Sequence, residues 1–229
     1  LTITGTFVSG SSLRFGTTAT ALTATQLGKI SSAGFTAFSL NSNGYLIAGH
    51  DNAFGAATSN VVFRNNVFSQ ILASGVRTIS RNFENTATGS SQTLGGLDAG
   101  LKTFSGNVIL TSQGINVTST SGGDVNFTGT VSGGFGLTKV GTGTVVLNPT
   151  SGTGNTLTGA ITVQGGTLQG QAQAVSGSPF GVNNAFTITN GVLKLEGQAA
   201  PTASSNTAST GTLTLNGGNA GVVVNDAAA

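Results

Sequence analysis

The 229 residues contain no cysteine, methionine or tryptophan, a single tyrosine, a single histidine and three prolines. Without cysteine there is no disulfide framework, no thiol nucleophile and no Cys-ligated zinc. Charge is scarce too. Eight Lys/Arg and six Asp/Glu make up 6% of the chain, where an ordinary soluble domain carries roughly a quarter. A net charge of +2 makes no field of the kind that holds nucleic acid, whose binders gather cations on one face to meet phosphates. The nearest cation group, Arg77 and Arg81 with Arg64 upstream, has Glu84 beside it and reads as ordinary surface charge. Disorder is excluded by a hydrophobic content of 37% and a mean hydropathy of +0.21, since disordered tails need high charge and few apolar groups. No run of about 18 apolar residues occurs, so no membrane-spanning helix is expected. So neutral a surface gives little electrostatic protection against self-association.

What the chain has is glycine, 37 residues of it, with Thr, Ser, Asn and enough Val, Ile, Leu and Phe to bury a core. Apolar and small polar residues alternate in Leu1–Thr4, Ile115–Thr118, Val125–Thr128, Ala160–Val163, Phe186–Thr189 and Leu213–Asn216. Each run is short and bounded by Gly, Asn or Ser, the signature of strands with tight turns. The runs also repeat. Residues 160–169 align with 185–194 at an offset of 25, matching Ile161 to Phe186, Val163 to Ile188, Leu168 to Leu193 and Gly166 to Gly191. A Gly-x-Leu/Val-x-Leu element begins at Gly143, Gly191 and Gly211. Steps of about 20 to 25 residues fit the rungs of a solenoid, in which each rung's apolar face is covered only by the next. An all-β parallel β-solenoid is therefore the expected fold. A Greek-key sandwich is the rival, but it predicts no apolar pattern at near-constant offset.

Between Leu13 and Ile47 the pattern changes. Thr23-Ala24-Thr25-Gln26 reads as a capping box, with Leu22, Leu27 and Ile30 on one stripe of a short helix. Asn43-Gly44 between Phe38–Leu40 and Tyr45–Ile47 predicts a hairpin. The expected organisation is thus a capping module over residues 1–50 and a solenoid over 51–229. Residues 201–210 lack periodicity and read as a loop leaving the stack. Leu1 is no start methionine, and the expectation is a processed product or a fragment.

Residues 133–169 carry a specific motif. Gly136-Leu137-Thr138-Lys139-Val140-Gly141-Thr142-Gly143-Thr144-Val145-Val146-Leu147 is followed by Leu157-Thr158-Gly159-Ala160-Ile161-Thr162-Val163-Gln164-Gly165-Gly166-Thr167-Leu168. This resembles the autotransporter-associated (passenger-associated) β-strand repeat of bacterial surface proteins, Gly-Leu-Thr-Lys-x-Gly-x-Gly-Thr-Leu-x-Leu and its continuation. Residues 104–110 and 125–129 look like the strands that lead into that repeat, and residues 13–47 resemble another segment of the same proteins. The resemblance covers about two-thirds of the chain. It implies a right-handed β-helix in a secreted or surface-displayed bacterial protein, a rigid stalk that helps to fold or carry a passenger, with no catalytic residues to transfer. Two departures stand out: no membrane barrel follows the repeats, and the Leu13-Arg14-Phe15-Gly16 segment, toward the C-terminal end in such proteins, opens this chain. That order predicts a fragment, or a subunit whose first and last strands meet across a boundary between copies.

Chemistry is thinly supplied. Polysaccharide-active β-helices need carboxylates converging on one face. Of Asp51, Glu84, Asp98, Asp124, Glu196 and Asp226, only Asp98 and Asp124, 26 positions apart, are spaced to stack on successive rungs. His50-Asp51 is the one His–acid neighbour pair and lacks a nucleophile elbow; a polar turn is the reading. Gly133-Gly134-Phe135-Gly136 resembles a calcium-binding glycine repeat without its aspartate. Asn116-Val117-Thr118 and Asn126-Phe127-Thr128 match glycosylation sequons inside expected strands. The thirteen Phe residues are expected as stacked core rings. A Thr/Asn surface ladder would suit a flat repetitive ligand or simply water. No catalytic, cofactor or metal site is expected.

The leading expectation is a non-enzymatic extracellular solenoid that forms a head-to-tail homopolymer. Leu1, Ile3 and Phe7 at one end, and Leu213, Leu215, Val222 and Val224 at the other, are the candidate assembly strands, each covering a neighbour's edge by strand addition. The alternative is a monomeric adhesin stalk that binds glycan or a host surface.

Overall fold

Strand alternation with glycine at the corners leaves each segment one apolar face and no antiparallel neighbour, and the segments stack in parallel. The computed structural model describes residues 11–15, 44–54, 60–63, 69–89, 92–171, 177–197 and 211–225, with no helix among them. The first sheet holds nine strands in sequence order. They are β1 (Ser11–Phe15), β2 (Gly44–Ala48), β4 (Ser69–Ala73), β7 (Gln92–Gly96), β10 (Ile115–Thr118), β13 (Leu137–Val140), β16 (Ile161–Val163), β18 (Phe186–Ile188) and β20 (Leu213–Leu215). The second holds seven, β5 (Arg77–Ile79), β8 (Gly100–Phe104), β11 (Gly123–Phe127), β14 (Thr144–Leu147), β17 (Thr167–Gln171), β19 (Val192–Glu196) and β21 (Gly221–Asn225). The third holds β3 (Val61–Phe63), β6 (Phe83–Asn85), β9 (Val108–Leu110), β12 (Val131–Gly133) and β15 (Thr156–Leu157). From β4 to β17 the chain visits first, second and third sheet in turn, and each strand pairs in parallel with its equivalent one turn on. The fold is a right-handed parallel β-solenoid.

The 25-residue alignment is the register itself. Ile161 pairs with Phe186, Val163 with Ile188, and Leu168 with Leu193. One part of the repeat reading is corrected. Gly143 and Gly191 open second-sheet strands, but Gly211 precedes β20 of the first sheet, and the successor of β19 is β21. Strands of all three sheets bury alternate residues, so a local Gly-x-Leu-x-Leu pattern does not say which sheet it belongs to. The expected hairpin is corrected as well. Both edges of β2 are taken by parallel partners, β1 and β4, leaving none for an antiparallel arm. The first sheet therefore runs unbroken across residue 50. Phe38–Leu40, the helix expected over residues 22–30 and the loop at 201–210 lie outside the described residues.

The core is one continuous strip inside the three sheets. Phe54, Phe83, Phe104 and Phe127 form a ladder through it, with centroids 5.7, 5.7 and 5.2 Å apart, and Phe180 meets Phe186 edge-on at 5.5 Å. Each such buried ring or aliphatic side chain contributes about 1.5–3 kcal/mol. Phe135 departs from the stacked-ring expectation and is exposed. At the corner between second and third sheets the rungs touch through glycine. A Cβ on Gly129 would lie 2.1 Å from the Gly106 carbonyl oxygen, and one on Gly106 2.2 Å from that of Arg81.

Candidate functional site

In a solenoid the inward positions form columns, and each column must end somewhere. One column of the first sheet runs Leu46, Ile71, Leu94, Val117, Lys139, Val163, Ile188 and Leu215. Every described member is buried until the last, Leu215, which is 53% exposed. The neighbouring column passes from Ile115 through Leu137, Ile161 and Phe186 to Leu213, 51% exposed. In the second sheet Val125, Val145, Leu168 and Leu193 lead to Val222, and Leu195 leads to Val224, 70% exposed. The last two strands thus present inward-facing core positions to solvent, beside two rows of backbone groups with no partner among the described residues. Four of the seven residues expected as assembly positions meet here. The other three, Leu1, Ile3 and Phe7, lie outside the described residues.

The opposite end of the second sheet is built differently. Its first strand, β5, is covered by the turn over residues 50–54. Arg77 Nε donates to the Gly49 carbonyl at 3.0 Å, the Thr78 amide to Asp51 Oδ1 at 3.1 Å, and the Arg81 guanidinium to the Phe54 carbonyl. The Asn52 amide donates to His50 Nδ1 at 3.1 Å. The His–Asp pair is a polar turn, and two of the three clustered arginines fasten that turn to the sheet edge rather than forming a patch for phosphate.

The carboxylates do not converge. Asp124 stands in register with Leu101 and Thr144 and is exposed, whereas Asp98 sits in the turn before β8. The expected stacking of Asp98 on Asp124 is therefore corrected: the turn and the strand are different steps of their rungs. Asp98 accepts from Ser74 Oγ at 2.6 Å and the Gly75 amide at 2.8 Å, and pairs with Lys102 Nζ at 2.8 Å. Burial pushes its pKa up, but the hydrogen bonds from Lys102, Ser74 and Gly75 and the Lys102 charge outweigh it and hold the carboxyl below its ordinary value. Glu84 accepts from Asn60 and Thr111, and Glu196 is held below the usual range by Lys194, 2.6 Å away. Among the described residues no three His, Cys, Asp or Glu side chains gather as a metal site would require.

Two residues escaped the sequence reading. Lys102 and Lys139 are fully buried. Lys139 Nζ donates to the carbonyls of Val140, Gly141 and Gly165 at 2.7, 2.9 and 3.0 Å. Lys102 Nζ reaches those of Asp98, Ala99 and Gly100. Both ammonium groups sit at the corner between first and second sheets, where turning backbone leaves carbonyls pointing inward. Burial lowers the Lys139 pKa to about 8. The available signal was parity: Leu137, Lys139 and then Val145 and Leu147 alternate inward, so Lys139 occupies a core position in its own run.

On the outside of the first sheet, Asn116, Thr138, Thr162, Thr187 and Thr214 form one column at strand spacing, in register with a buried Thr93. The expected Thr/Asn ladder is there. Asn116 and Asn126, the sequon asparagines, lie within β10 and β11 as expected.

The fold and its end define a class, the parallel β-solenoid with core columns laid open at one end. No family model, no curated protein and no solved structure matches the chain.

Proposed function

We propose that this chain is an extracellular structural subunit, without enzymatic activity, that associates end to end by strand addition into a fibre or surface layer. The observation that carries the reading is the bare end: Leu213, Leu215, Val222 and Val224 continue buried columns yet face solvent. Leaving such side chains in water forfeits about 1.5–3 kcal/mol each, and an open parallel edge is a template for another strand. The complement is a rung of the same kind from a second copy, with Leu1, Ile3 and Phe7 of that copy at the junction. The near absence of charge and the resemblance to passenger repeats of bacterial surfaces support the same reading. A contact of this sort does not close on itself, so it extends into a filament.

Negative-stain electron microscopy across a dilution series tests this. Filaments with an axial repeat of about 43 Å, nine first-sheet strands at about 4.8 Å each, are expected, and they should disappear when residues 1–15, which hold Leu1, Ile3, Phe7 and β1, are deleted. Short separate rods at every concentration overturn the reading. They would favour the monomeric adhesin stalk, for which the threonine column is the binding face and a glycan array the next measurement.

A further inference from the structure

We infer that the assembly is polar and in register: β20 of one copy takes β1 of the next as a parallel neighbour, with Leu215 opposite Leu13 and Thr214 opposite Ser12. This rests on the end-to-end reading above and adds to it the partner edge, the direction and the register.

The two edges belong to one sheet. Among the described residues β1 neighbours only β2, and β20 only β18. Their registers are linked through the strands between them. Leu13 occupies the position at the head of the column that ends in Leu215, and Ser12 heads the column that ends in Thr214. Adding β1 beneath β20 in that phase repeats the pairing found throughout the sheet. A slip of one residue would set the inward positions of β20 opposite outward positions of β1, because side chains alternate with a period of two. The position opposite Thr214 is then another small hydroxyl residue, as it is between Thr187 and Thr214.

Direction follows from the difference between the ends. A two-fold contact of one bare end with another would set β20 antiparallel to its own copy. That imposes a second hydrogen-bond geometry on a stack in which every described pair is parallel. It would also close into a dimer and stop growth. At the other end, Asp51, Arg77 and Arg81 tie the 50–54 turn over the edge of the second sheet. The first sheet continues past it by two strands, β2 and β1. The projecting sheet is therefore the one whose edge meets the next copy.

The absence of cysteine makes the register directly testable. Parallel neighbours lie about 4.8 Å apart, within the Cα separation a disulfide spans. S12C and T214C each introduce a single thiol, and S12C/T214C introduces both. T187C/T214C is the control, because those residues are paired within one copy and should bridge internally. Oxidation of S12C/T214C is expected to give a covalent ladder on a non-reducing gel, and mixed S12C and T214C a dimer that neither gives alone. Dimers from T214C by itself would overturn the inference in favour of a two-fold contact. Filaments seen by microscopy without any S12C–T214C bridge, while the control bridges, would overturn the register but leave end-to-end association standing. Absence of filaments from the unmodified protein would instead remove the reading beneath it.

Discussion

A lysine inside a wall of Val, Leu and Ile needs acceptors close at hand, and Lys139 finds three carbonyls at the corner it reaches. They do not fully replace water, so burial lowers its pKa from the ordinary 10.5 to about 8. A base whose folded pKa lies below its unfolded one binds fewer protons when folded. Between about pH 8 and 10.5 the unfolded chain is the more protonated, and stability contributed by this residue rises with pH. The span is worth about 3 kcal/mol. Urea unfolding at pH 7.5 and pH 10.5 should therefore show a gain in the natural protein that Lys139→Met lacks. Equal pH responses in the two would mean that the ammonium is not desolvated as its burial indicates. Asp98 has the same sign in the acid range. Its depressed pKa adds stability above the ordinary carboxylate range that is lost as pH falls through the folded value. Alternation marks Lys139 as inward, but it escaped the sequence reading because a charge is expected outside.

At the scale of the element, the informative strands are the last two. β20 and β21 bury least while having the same alternation as the strands before them. Leu215→Lys with Val224→Lys tests whether that exposure serves association. Both side chains are already exposed, so thermal stability of the separate subunit should change by no more than about 0.5 kcal/mol. Assembly should fail, because each added copy would bury uncompensated ammonium groups. Sedimentation velocity reads the outcome, and variants that still polymerise would show that association uses another surface. Five of the strands were readable in advance: β10, β11, β16, β18 and β20 coincide with the alternating runs, and the 25-residue offset is the β16–β18 and β17–β19 register. The Asn43-Gly44 hairpin was misread because turn chemistry is local, and β2 instead has two parallel neighbours separated from it by about a rung or more of chain.

The whole molecule is a stack in which each rung touches only its neighbours, so stability is close to a sum of rung and interface terms. Opening then starts where one interface is missing. Hydrogen exchange on dilute protein should show weak protection in β20 and β21 and strong protection in β10 to β14. Protection at β20 should rise on assembly. Uniform protection along the stack in dilute protein would contradict this picture. The sequence alone determined the strand character, the inward parity, the rung length and the neutrality that leaves association unopposed, because these depend on residue type and spacing. Only the tertiary structure decided which sheet each strand joins, that two lysines close a corner, that Asp98 and Asp124 stand apart, and that the core columns reach solvent at Leu213, Leu215, Val222 and Val224. Those depend on how successive turns fall over one another, and a period of two along the chain does not encode that.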